Sequence, residues 1–388
     1  MKNSIGIVFA GDGGGDLLGK WRPDPNFEYL TGILDEPGAA ILFDPLHKVP
    51  SKRAVLFLRP LNPEVESWDG IRDPINSKLV NKYGIKTIFR TSRIPFIMNI
   101  AAKKAKRLAC LHSLATYNQP VSPDLAVFRK VCERIPGVTI EDHSELLAKM
   151  RAVKSAGERA CIKEAVRISA GGYQQVLETM KPGMNEFDIQ ETLEHEYRAS
   201  GSRGPAYNTI AGSGFNGTVL HYGANDQPLQ DGDLIVIDSG ADYKGYAADV
   251  TRTYPVNGKF TKRQKEIYSI VLKALEVSIR KVKAGCTFEQ LDKAARDVIK
   301  KAGYGDYFRH GIGHHLGLEV HDITPDEPLK AGAVITIEPG IYLPDENIGV
   351  RIEDDIVVTK TGHTNLSASI PKTIASIEQA MSSRRKKK

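Results

Sequence analysis

The sequence predicts an α/β protein of two domains, on three observations. The chain has 388 residues, enough for two hydrophobic cores. Residues 1–150 mix short apolar strand-like runs with helical patterns, as a single α/β unit does. From about residue 151 the pattern becomes long amphipathic helices separated by antiparallel-looking strands, the mark of an α+β domain. A basic join, Lys149-Met150-Arg151-Ala152-Val153-Lys154, separates the two. The second domain is expected over 151–381, and a basic, disordered tail over 382–388.

In the first domain, the apolar part of Met1–Ala10 is cut short by the Gly/Asp run from Gly11 to Asp16, too soon for a signal peptide. It reads as a short strand. Gly11-Asp12-Gly13-Gly14-Gly15 is glycine-rich, but Gly19-Lys20 is followed by Trp21 rather than Ser or Thr. The stretch therefore fails as a phosphate-binding loop and reads as a turn. Strands are expected at Ala39–Phe43 and Ala54–Leu58, each bounded by proline or charged turn residues. Helices are expected near 74–83, 95–108 and 124–134.

The second domain opens with a helix over 156–180, stopped by Lys181-Pro182-Gly183, and another over 185–200, stopped by Gly201. A second pair covers 261–283, ending at Gly285, and 287–302, ending at Gly303. Each pair is followed by a hairpin that carries carboxylates. In Leu234–Thr253 an apolar strand enters a turn at Asp242-Tyr243-Lys244-Gly245 and a second strand leaves it. A hairpin centred between Tyr243 and Lys244 sets Asp238 opposite Asp249, about 5 Å apart at Cβ. In Ile335–Glu353, Glu338 and Glu353 are symmetric about Asp345-Glu346, a strong turn candidate.

A carboxylate among Val and Ile is costly to bury unless it is paired or bound to metal. Four of them on two symmetric hairpins point to metal. Between the hairpins lies His310–Asp322, which reads as a strand with His310 and His314 on one face and His315 and His321 starting on the other. The glycines in it interrupt strict alternation. Asp238, Asp249, His314, Glu338 and Glu353 together are the donor set of a two-metal site, which activates water and polarises a carbonyl during hydrolysis. His221, in Thr218-Val219-Leu220-His221-Tyr222, is ambiguous on its own.

The bulk numbers exclude several classes. Hydrophobic residues make up 41% and charged ones 26%, a globular balance, and no apolar run is long enough to cross a membrane. The net charge of +6 owes +5 to Arg384, Arg385, Lys386, Lys387 and Lys388, so it does not argue for nucleic acid. Neither a nucleic-acid nor a membrane partner is expected. The four cysteines, Cys110, Cys132, Cys161 and Cys286, form no CxxC pair and fit free thiols in a reducing cytoplasm.

At these residues the chain resembles the pita-bread metallopeptidases, and among them the proline-specific group of aminopeptidase P and prolidase. The matching segments are Asn216–Tyr222, Ile237–Gly240, Asp249–Thr253, Gly313-His314 through His321-Asp322, Ile337–Tyr342 and Arg351–Asp355. They cover roughly 150–365 densely. Pro25–Gly32 with Glu36-Pro37, and Glu66–Arg72, resemble more loosely the N-terminal domain shared by creatinase and aminopeptidase P. Methionine aminopeptidases usually lack that domain, and creatinase lacks the metal ligands found here.

The resemblance implies a C-terminal pita-bread domain, a curved antiparallel sheet backed by helices. It implies Asp238, Asp249, His314, Glu338 and Glu353 as ligands of two divalent ions, with Asp249 and Glu353 shared between them. Manganese is the metal it implies first, with zinc or cobalt as alternatives. Glu338 would take the water proton, and His221 and His321 would hold the substrate and the tetrahedral intermediate. His310, Tyr342 and Arg351 match substrate-contact or supporting positions. The substrate implied is a peptide with proline second, cleaved by a homodimer or larger assembly such as a tetramer, with a neighbour's N-terminal domain shaping the site. Three functions compete: an Xaa-Pro aminopeptidase, favoured by the N-terminal pieces; an Xaa-Pro dipeptidase with the same ligands; and a non-catalytic binding module, disfavoured because all five ligands are present.

Overall fold

In the computed structural model, which describes residues 3–12 and 21–383, the chain divides into two units, Met1–Met150 and Arg151–Lys388. The first contains, in order, β1 (Ile5–Phe9), α1 (Pro25–Thr31), β2 (Ala40–Phe43), β3 (Ala54–Leu58), α2 (Pro63–Asp69), α3 (Ser77–Tyr83), β4 (Ile88–Arg90), α4 (Ile94–Ala105), β5 (Arg107–Cys110), α5 (Pro123–Cys132) and β6 (Thr139–Asp142), followed by α6 (Ser144–Ala152). The strands form one six-stranded sheet in the order β4-β3-β2-β1-β5-β6. β1–β2 and β2–β3 are antiparallel, and the outer pairings are parallel.

The central strands are apolar throughout because both faces are covered. Ile5, Ile7, Val55 and Phe57 pack into one cluster with Met98 and Phe128. Val8, Ile41, Leu56 and Leu58 pack into another with Phe27 and Leu79. The helix expected over 95–108 ends earlier, at Ala105, because Lys106 takes a left-handed backbone (φ 62°) and the next four residues extend into β5. The sequence reading missed α1, α2, β4, β5, β6 and α6. The signals for α1 were present: Asp24 caps the N–H groups of Asn26 and Phe27, Pro25 opens the first turn and Gly32 ends it.

The second unit contains α7 (Ala156–Thr179), α8 (Glu186–Ala199), β7 (Ile210–Ser213), β8 (Leu234–Asp238), β9 (Asp242–Tyr243), β10 (Tyr246–Ala247), β11 (Thr251–Pro255), α9 (Lys262–Ile279), α10 (Phe288–Lys301), β12 (Val334–Ile337), β13 (Gly340–Leu343), β14 (Ile348–Arg351), β15 (Asp354–Val358), β16 (His363–Asn365) and α11 (Ile374–Ser383). α7 to α10 each begin at a reciprocal cap: Ser155 with Glu158, Asn185 with Asp188, Thr261 with Gln264 and Thr287 with Gln290. Their apolar faces pack with the strands into one large core that includes Tyr173, Leu193, Tyr254, Ile267, Ile337 and Ile356. The strands pair antiparallel as β11-β8-β7, β12-β15-β16, β13-β14 and β10-β9. α11 runs to Ser383, so the expected tail begins inside a helix; residues 384–388 lie outside the described residues.

Candidate metal centre

The first carboxylate hairpin turns on Lys244 and Gly245, both with positive φ (53° and 85°), in a two-residue loop between Tyr243 and Tyr246. That backbone is why glycine stands second. The turn is centred slightly later than the sequence reading set it. Asp238 therefore faces Thr251, not Asp249. Asp249 falls two residues short of that partner, on the diagonal and on the same face of the ladder. Its N–H donates to Asp355 Oδ2 at 3.1 Å, which fixes it just before β11.

The second hairpin has the expected axis. β13 and β14 pair Gly340 with Arg351 and Leu343 with Ile348, around Pro344–Glu346 and a left-handed Asn347. Glu338 and Glu353 flank its two ends, and Ile337 pairs with Asp354 in the next sheet. Each glutamate thus sits where the chain passes from one sheet to the other.

His310–Asp322 is not a strand; it makes only the isolated bridges His315–Asp322 and His315–Ile335. It still runs along β12, with the N–H groups of Thr336 and Glu338 bonded to the carbonyls of His314 and Ile312. Glycine permits that approach: a Cβ on Gly313 would strike the Thr336 carbonyl.

These pieces surround a cavity of about 620 Å³ lined by Asp238, Asp249, His314, Glu338 and Glu353, with His221, His310, His321 and Arg351 among its other walls. Donor atoms of Asp249, His314 and Glu353 lie within 4.8 Å of one another. His314 Nε2 is 3.4 Å from Asp249 Oδ2 and 3.6 Å from Glu338 Oε1. Its Nδ1 lies 3.0 Å from the His315 carbonyl, a partner that takes a proton there and leaves Nε2 for the carboxylates.

Tyr342, named from sequence, is buried beside the cavity and joins its walls. Arg351 Nη2 donates to Asp238 Oδ2 at 2.8 Å and Nη1 to Tyr342 Oη at 3.1 Å. Tyr342 Oη lies 2.8 Å from His310 Nε2, and His310 Nδ1 is 2.9 Å from the Gly311 carbonyl. Burial and the charge of Arg351 push His310 down to about 4, so its imidazole is neutral at pH 7. His321 stacks edge-on to His314 with ring centroids 4.3 Å apart. His221 reaches the cavity from an exposed loop.

The acids carry the electrostatic mark of a cation site. Burial, reinforced by the Asp249 carboxylate, raises Asp238, lifts Glu338 to about 7 against the pull of His314, and drives Glu353 well above the usual carboxylate range. Burial would lower His314, yet the hydrogen bond and charge of Asp249 raise it to about 9. Charges that draw a proton to Nε2 also draw a metal. Four carboxylates and one imidazole are hard oxygen donors with a single borderline nitrogen, and they fit divalent manganese, cobalt or zinc.

Two supporting residues escaped the sequence reading. Tyr207 Oη lies 2.6 Å from Asp238 Oδ1 and 2.5 Å from Asp249 Oδ1, so its one proton serves either carboxylate. Thr251 Oγ1 donates to Glu353 Oε2 at 2.7 Å. Tyr207 stands in an irregular loop where no periodicity marks it. The alternation of β11 could have flagged Thr251.

The profile of metallopeptidase family M24 matches residues 160–360, which hold all five predicted ligands. The chain belongs to metallopeptidase family M24. The profile of the aminopeptidase P N-terminal domain matches residues 14–109. The chain is 34% identical to an Xaa-Pro aminopeptidase of Haemophilus influenzae, over 94% of this chain and 90% of that one. It is 40% identical to an Xaa-Pro dipeptidase of Pyrococcus horikoshii, over 94% and 93% of the two chains. The solved structure of Pseudomonas aeruginosa aminopeptidase PepP superposes with a TM-score of 0.87 at 32% identity, covering 99% of this chain and 95% of that one. The two-domain architecture, an aminopeptidase P-type N-terminal domain before an M24 domain, is thus shared with that M24 structure.

Proposed function

We propose that the chain is a dinuclear-metal exopeptidase that hydrolyses the Xaa-Pro bond at the N-terminus of peptides. The observation that carries this reading is the convergence of Asp238, Asp249, His314, Glu338 and Glu353 on one cavity that His221, His310 and His321 also line. Those five would hold two divalent ions, with manganese the proposed metal. Bound there, such ions lower the pKa of a water and polarise the scissile carbonyl.

The chain's own residues do the rest. Glu338 accepts the water proton and returns it to the leaving proline nitrogen. His221 and His321 hold the substrate carbonyl and stabilise the developing oxyanion by hydrogen bonds. Neutral His310, locked by Tyr342 and Gly311, contacts the substrate, while Arg351 keeps Asp238 and Tyr342 in place. Proline has no N–H and a fixed φ, so a site that reads the peptide through that N–H fails on it, whereas this site need not use it.

The aminopeptidase reading is supported by the N-terminal domain match and by relatives of that name. A dipeptidase is the second reading, supported by the Pyrococcus relative. An assembly of identical chains is part of the proposal: Trp68 and Ile71 are 90% and 91% exposed on the first unit, and such apolar surface is suited to cover by another copy. A cytoplasmic location is supported by four free cysteines. Among the described residues no helix is long and apolar enough to cross a membrane.

The test is side-by-side turnover of an Xaa-Pro dipeptide and the matching Xaa-Pro-Yaa tripeptide with added manganese. Tripeptide cleavage that Asp249→Ala lacks supports the aminopeptidase; preference for the dipeptide supports the dipeptidase. Cleavage of neither by the metal-loaded protein overturns the proline-specific reading.

A further inference from the structure

We propose that Glu186 is a positioning residue for the catalytic cavity, a buried carboxylate that fixes the loop carrying His221. The proposal rests on the peptidase reading above for its effect on turnover, but its structural half stands on contacts alone.

Glu186 is the first residue of α8 and is fully buried. Five donors converge on its two oxygens. Oε1 accepts from the Ser213 N–H at 2.7 Å, Ser213 Oγ at 2.9 Å and Asn216 Nδ2 at 3.1 Å. Oε2 accepts from Tyr222 Oη at 2.8 Å and the Gln227 N–H at 3.1 Å. Every side-chain contact is a donor, the arrangement a carboxylate satisfies and a glutamine cannot, since its NH₂ would face donors. The backbone N–H of Glu186 also bonds to the Gln227 carbonyl, at 2.9 Å.

These donors come from 213–227, with His221 between them in sequence. After the short 3₁₀ turn Gly214–Thr218, residues 219–227 form no helix or strand, so side-chain anchors must define their path. Asn225 supplies one more anchor, its Nδ2 bonded to the Thr209 carbonyl at 2.7 Å and to Gln190 Oε1 at 2.8 Å. Arg351 Nη1 reaches the Leu220 carbonyl at 3.5 Å, beside His221, from the same guanidinium that holds Asp238. The loop is thus tied to α8 on one side and to the metal-site framework on the other. A buried carboxylate is costly unless its acceptors are filled. What this one secures is the position of a histidine on an otherwise irregular, exposed loop.

The test uses the full-length, manganese-loaded protein and a double-mutant cycle. Glu186→Gln and Tyr222→Phe are each made alone and with His221→Ala, and kcat/KM is measured on the better Xaa-Pro substrate. Glu186→Gln is expected to lower kcat/KM roughly tenfold to a hundredfold, the scale of a slightly misplaced group. Metal content should match the parent, and neither variant should add a further loss once His221 is gone. Hydrogen exchange should quicken across 213–227 and not in β8. An unchanged kcat/KM, or an equal fold-loss with and without His221, overturns the proposal. If Glu186→Gln fails to fold, Tyr222→Phe carries the same cycle under the same criteria. Parent protein inactive on all Xaa-Pro peptides refutes the peptidase reading; the exchange of 213–227 then decides by itself whether Glu186 fixes the loop.

Discussion

Tyr207 Oη sits between Asp238 and Asp249, and Thr251 Oγ1 holds Glu353, so three of the five proposed ligands are oriented by hydroxyl groups. Tyr207→Phe should keep the fold and weaken manganese binding by about 10–100-fold, the usual cost of removing such a support, as calorimetric titration would measure. Unchanged affinity would make Tyr207 a bystander. Arg252 poses a different case. It is fully buried with Asp354, its Nη2 2.8 Å from the carboxylate, and Lys372 joins them. Arg252→Ala leaves Asp354 short of its main partner and should cost about 3–5 kcal/mol in denaturant unfolding; a loss under 1 kcal/mol would contradict that account. The four proposed carboxylate ligands were legible as candidates in sequence because acids among Val and Ile demand a reason, and His314 because it lies in a histidine-rich run beside them. Tyr207 and Glu186 were not, because what makes them matter is a set of donors and acceptors far away along the chain.

The hairpins show what element-level reading can and cannot reach. A symmetric spacing located the second hairpin's axis, since Pro344–Asn347 is a turn on its own chemistry. The first hairpin's turn is set by the positive φ of Lys244 and Gly245, and its register puts Thr251 opposite Asp238. Gly245→Ala should therefore cost about 1–2 kcal/mol, the left-handed penalty for a side chain, in thermal unfolding. No change would mean that the turn relaxes freely. His310–Asp322 reads as a strand in sequence because His310 and His314 would share one face of an extended segment; close packing at glycine, not pleating, sets its path. At α1 the cap Asp24 offers a test in pH. Burial pushes its carboxyl up, but His112 and the N–H groups of Asn26 and Phe27 outweigh that and hold it below the usual value. A depressed carboxylate stabilises above its unfolded pKa, and the gain fades as pH falls through the folded one. Asp24→Ala should cost about 1 kcal/mol at pH 7, and the gap from the parent should narrow in acid. A gap that widens there would contradict the sign.

At the scale of the whole molecule, two units divide at Met150 and Arg151, within the basic join where the sequence pattern changes. Composition and periodicity reveal such a change because a six-stranded mixed sheet needs short apolar runs and the second unit needs long capped helices. Pairing order within each sheet was not legible, since it depends on contacts remote in sequence. Stability should depend on metal at this scale: ions at about a hundredfold excess over their Kd add about 2.7 kcal/mol. Chelation should lower Tm and speed hydrogen exchange chiefly in β8, β11 and the strands around Glu338 and Glu353. Equal Tm with and without chelator would argue against a structural hold on metal.

The measurement that bears most directly on the account is metal stoichiometry per chain, taken by elemental analysis on manganese-equilibrated parent and Asp249→Ala proteins. The account predicts two ions in the parent and a loss of bound metal in the variant. A parent chain that retains no metal, or a variant that keeps both ions, would contradict it.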